Sequence, residues 1–183
     1  IREPDQIHTS VLLHECMHHL APRPGGIYVD GTLGLGGHTS AILSLSAPDG
    51  KVVAFEWDES ALRRAEERLQ ENRERVTVVR RNFAEIAEGL AEVGIAEIDG
   101  LLIDIGLSSL QLDMGERGFS FQRDEFLDMR MDSRRDITAE SLLAKCTEQE
   151  LADIFFYYGE ERQARPIAAA IVKARERESI STT

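Results

Sequence analysis

The chain is 183 residues long, 42% hydrophobic and 30% charged, the balance of an ordinary globular protein with room for one core and an insertion. Its 33 acidic against 21 basic residues give a formal charge of −12, which argues against a protein that grips nucleic acid through a general basic surface. No apolar run approaches the roughly 20 residues of a bilayer-spanning helix, residues 1–10 carry no secretory signal pattern, and Cys16 and Cys146 stand alone without CxxC spacing. Free thiols of that kind fit a reducing compartment, so the expectation is a cytoplasmic protein with no membrane partner.

Residues 8–20 predict a first helix, with Ser10 as cap and Leu12, Leu13, Met17 and Leu20 as apolar face. It ends in the breaker run of residues 22–26 (PRPGG). Within it, His14, Glu15 and His18 match HExxH, where two His one turn apart hold zinc. The longer form of that motif fails, because Ala21 and Pro24 stand where Gly and His belong. No metal is expected.

Residues 27–40, IYVDGTLGLGGHTS, organise the rest. Ile27, Tyr28 and Val29 predict a buried strand ending at Asp30. Gly31, Gly34, Gly36 and Gly37 form a loop, and Thr39 and Ser40 are placed to cap a helix with Ala41, Ile42 and Leu45 on its apolar face. Strand, glycine loop and helix together are the context of a nucleoside-binding turn. Residues 51–58 (KVVAFEWD) predict the next strand, and Glu56 near its end lies 20 residues past Gly36. That is the spacing at which a carboxylate takes ribose hydroxyls. A dinucleotide would set its pyrophosphate at the helix start, where Asp30 repels it; a ligand with an ammonium and no phosphate suits Asp30 better. S-adenosylmethionine has that chemistry.

Asp58 caps a predicted helix reaching Asn72, with Ala61, Leu62, Ala65 and Leu69 on one face. Val76–Val79 is a third strand, followed by Asn82 and Phe83. Phe83 either begins the core stripe of Ile86, Leu90 and Val93 or lies against a bound adenine. Gly94 closes that helix, and residues 99–103 predict a fourth strand ending at Asp104. Alternating strands and helices predict a parallel sheet with right-handed crossovers. Asp30, Glu56, Phe83 and Asp104 all fall at strand ends, so a site is expected there.

A polar loop follows at residues 105–113, and residues 115–135 are aromatic and charged with little periodicity. Phe119 and Phe121 there are candidates to stack a base or to pack beneath the loop. From Ile137 the pattern turns helical, with a capping box at Thr147 and Glu150, and a basic helix in which Arg162, Arg165, Lys173, Arg175 and Arg177 face only Glu176. The expected organisation is a Rossmann-like α/β core over residues 1–112 and a mainly helical inserted subdomain over 113–183. Four strands leave such a sheet incomplete, with the fourth as an apolar edge, and the sequence begins without Met; a truncated chain is expected.

HTSVLLHE, YVDGTLGLGGHTSAIL, DGLLIDIGLSSLQLD, ERGFSF and LDMRMD together resemble the MraW/RsmH family. The resemblance implies a class I, S-adenosylmethionine-dependent methyltransferase acting on N4 of a cytidine in the decoding region of bacterial 16S ribosomal RNA, with S-adenosylhomocysteine as product. It implies that Gly36, Gly37 and His38 contact the donor, beside Asp30 and Gly34 of the same turn. Glu56 would hold the ribose, Phe83 would lie at the adenine, and Asp104 and Gln111 would line the donor and reaction side. Many relatives have Asp at the place of Glu56, and often Pro at that of Leu110 and Gly-Pro at Glu125 and Phe126.

The implied reaction is an in-line displacement at the sulfonium methyl by a poorly nucleophilic, ring-conjugated amine. Acceptors must take its N–H protons; Asp104 is the expected acceptor, helped by Ser108 and Ser109. The partner is 16S RNA or the small ribosomal subunit, with the target base unstacked and Arg117, Arg123, Arg130 and the basic helix as candidate phosphate contacts. Nothing in the sequence fixes an oligomeric state. The rival readings are a donor- or RNA-binding fragment without activity and a nicotinamide oxidoreductase, the latter disfavoured by Asp30 and by the lack of a Tyr/Lys or His pairing.

Overall fold

Four short runs rich in β-branched and aromatic residues pair into one parallel sheet in the computed structural model, which describes residues 10–106 and 117–183. They are β1 (Ile27–Asp30), β2 (Lys51–Phe55), β3 (Val76–Val79) and β4 (Gly100–Leu102), in the order β3-β2-β1-β4. Val29 pairs with Val53 on one side and Leu101 on the other, and Ala54 pairs with Val78. The chain divides into two compact units at Gly106.

In the first unit the two-residue side-chain period sorts the strands into two cores. Tyr28, Val52 and Ala54 join Ile42, Leu43, Leu62, Ala65, Leu69 and Met17 in one apolar cluster. Val29, Val53, Phe55 and Val79 meet Ile86, Leu90 and Val93 in the other. The first cluster covers its face with α1 (Leu13–Leu20), α2 (Gly37–Leu45) and α3 (Glu59–Leu69), the second with α4 (Ile86–Glu92). This is the expected Rossmann-like α/β architecture, with β4 at the sheet edge and Leu101 45% exposed there.

Element boundaries differ from the sequence expectation where tertiary demands compete with local signals. α1 starts at Leu13 after a left-handed Leu12, with no side-chain cap, so Ser10 does not serve as one. α2 begins two residues before the expected caps, at Gly37 with Gly36 as N-cap. Thr39 therefore lies inside the first turn, where its hydroxyl donates to Asp30. Asp58 caps α3 as expected, accepting from the Ser60 N–H. The helix stops at Leu69 and the chain tightens into a 3₁₀ turn over Gln70–Arg75. β4 ends at Leu102, one residue short of the expected end.

Gly89 of α4 rests on the Phe55 ring: a Cβ there would stand 2.4 Å from Phe55 Cε1 and 2.8 Å from Cζ. Phe55 is fully buried and cannot retreat. Gly89→Ala should therefore lower stability by about 1–3 kcal/mol, despite alanine's better helix propensity. A urea denaturation midpoint at or above wild type would contradict this packing.

The second unit carries α5 (Ala139–Lys145), α6 (Glu148–Tyr157) and α7 (Ala164–Arg175). Thr147 and Glu150 form the expected capping box, and Thr138 with Ser141 forms a second. Leu151, Ala152 and Ala168 are the buried centre, with Leu143, Cys146, Phe155, Ile171 and Val172 around them. Pro166 lies in the first turn of α7, where a missing N–H costs no helical bond. An antiparallel bridge between Phe126 and Thr182 ties the irregular segment to the last residues.

Candidate functional site

β1 has β2 on one side and β4 on the other, so the strand order, which steps outward from β1 to β3, reverses at β4. Such a reversal opens a crevice at the strand ends, the usual ligand position in open α/β sheets. Three tips meet at Gly31. Its N–H donates to Leu102 O at 2.8 Å. A Cβ on Gly31 would stand 3.0 Å from Ile103 Cγ1 and 3.3 Å from Phe83 Cβ, so a side chain there would have to displace one of them.

Phe83 opens a 3₁₀ turn, Phe83–Glu85, capped by the Asn82 side chain, which accepts from the Ala84 N–H at 2.8 Å. It is half-buried and stands outside the apolar cluster under α4, whose stripe begins at Ile86. The tip of β3 thus presents a partly open aromatic face beside Gly31.

The loop after β1 is held by its own main chain. Leu33 is buried and its N–H donates to Phe55 O at 3.0 Å, while the Gly36 N–H donates to Leu33 O at 2.8 Å. Gly36 has φ 76°, a left-handed conformation, and its missing Cβ would point at Leu69 and Ala65 of α3. The glycine requirement at 36 is therefore conformational.

Glu56 spans from the β2 tip to this loop. Its Oε2 accepts from the Gly34 N–H at 2.9 Å, and Oε1 accepts from the N–H groups of Trp57 and Asp58, both at 2.9 Å. Burial raises its pKa above the ordinary glutamate value, against the opposing pull of those three backbone donors.

Asp30 lies beneath the loop rather than open to the crevice. It is fully buried; Oδ2 accepts from the Thr39 hydroxyl at 2.7 Å and Oδ1 from the Thr32 N–H at 3.1 Å. Sequence reasoning aimed this carboxylate at a ligand's ammonium, whereas here it fixes the shape of the turn. Burial raises its pKa, so the folded chain holds its proton more tightly than the unfolded chain. The folded state then binds more protons in the window between the two values, and stability falls as pH rises through it. Asp30→Asn keeps an acceptor for Thr32 and a donor for the Thr39 oxygen without the charge. It should be more stable than wild type to urea at pH 7, with the advantage shrinking toward pH 4; an advantage that is constant or grows on acidification would refute the buried charge.

His38 is 6% exposed and its Nε2 lies 3.0 Å from Val11 O, tying α2 to the segment before α1. Asp104 is exposed, and its N–H donates to Thr32 Oγ1 at 2.7 Å. Thr32 was missed by sequence reasoning; its hydroxyl two residues after the strand-ending Asp30 was the available signal. Ser108, Ser109 and Gln111 lie outside the described residues. His14, Glu15 and His18 are exposed on α1, and among the described residues no three His, Cys, Asp or Glu side chains group as a metal site.

In the second unit, Phe121 is 93% exposed, and the Arg117 guanidinium lies 5.3 Å from the Phe119 ring centre. Arg130 forks onto Asp128, with Nε 2.6 Å from Oδ1 and Nη2 2.9 Å from Oδ2. Arg175 donates to the carbonyls of Leu143 and Cys146. These two arginines hold the unit together, while Arg162, Arg165, Lys173 and Arg177 are exposed.

The model of the MraW methylase family matches residues 5–183. The chain is 68% identical over 181 residues to the ribosomal RNA small subunit methyltransferase H of Desulfotalea psychrophila, covering 99% of this chain and 61% of that protein. It is 54% identical over 176 residues to the protein of the same name from Geotalea daltonii, covering 96% of this chain and 56% of that one. The chain thus spans little more than half the length of these relatives. Among solved structures, a SAM-dependent O-methyltransferase from Thermotoga maritima is 24% identical, covers 55% of this chain and 38% of its own, and superposes with a TM-score of 0.43.

Proposed function

The chain belongs to the MraW methylase family, and from that premise we propose that the strand tips around Gly31 bind S-adenosylmethionine and that the whole protein methylates N4 of a cytidine in 16S ribosomal RNA of the small subunit, in the cytoplasm. The single observation that carries the reading is that one turn gathers the strand tips: Phe83 and Ile103 lie against Gly31, Glu56 accepts from Gly34, and the Asp104 N–H donates to Thr32. The residues present fit the donor. Gly31 lets the tips of β1, β3 and β4 close on one another beneath the site, and Glu56 offers the acceptor that ribose hydroxyls need. The names of the two relatives, both ribosomal RNA small subunit methyltransferases, support the substrate class.

When bound, the donor supplies a methyl group made electrophilic by its sulfonium, and leaves as the neutral thioether S-adenosylhomocysteine. In this reading Glu56 takes the ribose, Phe83 covers the adenine, and the turn of Gly34, Gly36, Gly37 and His38 faces the amino-acid end, with Gln111. Asp30, held below by Thr39 and Thr32, keeps that turn in shape. Asp104, with Ser108 and Ser109, accepts a proton from the cytidine amine as its nitrogen forms the new N–C bond, and passes that proton to solvent. Residues 113–183 form the substrate-recognition insert, where exposed Arg162 and Arg165 meet phosphates.

Tritium transfer from labelled donor to 30S particles lacking this modification tests the reading in the complete protein. Label on one cytidine N4 of 16S RNA is expected. Label on another base or on protein would overturn the assignment, and donor binding without transfer would favour a non-catalytic binder.

A further inference from the structure

We propose that Thr32 is a positioning residue for methyl transfer, holding Asp104 toward the reacting amine through its main chain; this rests on the proton-accepting role given to Asp104 above. The β1–β4 ladder ends at the pair Asp30 and Leu102, followed by the bond from the Gly31 N–H to Leu102 O. Residues 103–106 run on beyond the strand and are exposed. In that stretch, among the described residues, one hydrogen bond fixes the chain: the Asp104 N–H to Thr32 Oγ1, at 2.7 Å. The carboxylate of Asp104 itself has no partner among the described residues. Its direction is therefore set by the backbone, and the backbone is set by Thr32.

Thr32 is suited to the task because it hangs from a buried anchor. Its N–H donates to Asp30 Oδ1 at 3.1 Å, and Asp30, fully buried, is clamped from the other side by the Thr39 hydroxyl at 2.7 Å. A chain of hydrogen bonds thus runs from α2 under the loop and out to the tip of β4. The β-branched side chain is stiff at χ1, so the hydroxyl points where the loop directs it. Having accepted from Asp104, the hydroxyl still carries a proton with no acceptor among the described residues.

Thr32→Val keeps the volume and the branching and removes the acceptor; Thr32→Ser keeps the acceptor. In the complete protein, assayed with tritiated donor and 30S particles lacking the modification, Thr32→Val should lower kcat about tenfold with the donor KM within about twofold, the size expected from one lost hydrogen bond in an alignment-dependent step. Thr32→Ser should recover most of the rate. The combination Thr32→Val with Asp104→Ala should be no slower than Asp104→Ala alone, because both act through one carboxylate. A normal kcat in Thr32→Val, a loss confined to donor KM, a serine variant as slow as valine, or losses that multiply in the double variant would each overturn the proposal. If wild type transfers and Asp104→Ala does not, a normal Thr32→Val removes Thr32 alone. A fully active Asp104→Ala removes the role of Asp104 and the proposal with it.

Discussion

Asp104→Ala in the complete protein is expected to bind S-adenosylmethionine within a few-fold of wild type and to transfer methyl groups at least about a hundredfold more slowly, the usual range for a lost proton acceptor. The ring-conjugated cytidine amine has little free electron density, so bond formation to the methyl needs an acceptor for its proton at the same moment. In the proposed reading Asp104 would meet that requirement: it lies two residues past the end of β4, is exposed, and is tied to the turn through Thr32. The proposal gives the ribose and loop contacts to other residues, so donor affinity should survive. Calorimetry for binding and tritium transfer for turnover separate the two effects. Full turnover in the alanine variant would remove Asp104 from the chemistry.

Gly36→Asp should abolish donor binding. The cause is the backbone and not a filled loop. A Cβ at 36 would point at Leu69 Cγ and Ala65 Cβ, at 3.4 and 3.7 Å, away from the turn. The cost is a left-handed conformation at φ 76° plus a carboxylate forced against an apolar helix face, together several kcal/mol. The chain would escape by reshaping residues 34–37, including the Gly34 bond to Glu56. Gly36→Ala carries only the conformational cost of about 1 kcal/mol, so it should fold and bind roughly tenfold more weakly. Unchanged calorimetric affinity in Gly36→Ala, with weak binding in neither variant, would show that the turn is not the donor site.

Much of this was legible in the sequence because the signals were redundant. Tyr28, Val52 and Ala54 facing one core, with Val29, Val53 and Phe55 facing the other, follow from strand alternation once both faces are covered. Parallel pairing followed from helices between strands, and the Asp58 cap and the Thr147–Glu150 box were local. What escaped depended on partners distant in sequence. Thr39 reads as a helix cap, yet buried Asp30 claims its hydroxyl, and α2 starts earlier as a result. Thr32 offers only a hydroxyl two residues after the strand-ending Asp30, and its partner, the Asp104 N–H, comes beside it only when β4 is laid against β1. The Thr138 box uses Ser141 where a Glu or Gln is the usual signature. Phe83 reads from the sequence as either core or ligand contact, and it is the 3₁₀ turn capped by Asn82 that starts the core stripe at Ile86 instead.

The most direct test is a crystal structure of the complete protein with S-adenosylhomocysteine. The ribose hydroxyls should bond Glu56, the adenine should lie on Phe83, and the amino-acid end should sit against the turn from Gly34 to His38. A nucleoside bound away from the tips of β1, β2, β3 and β4, or a phosphate seated in that turn, would contradict the account.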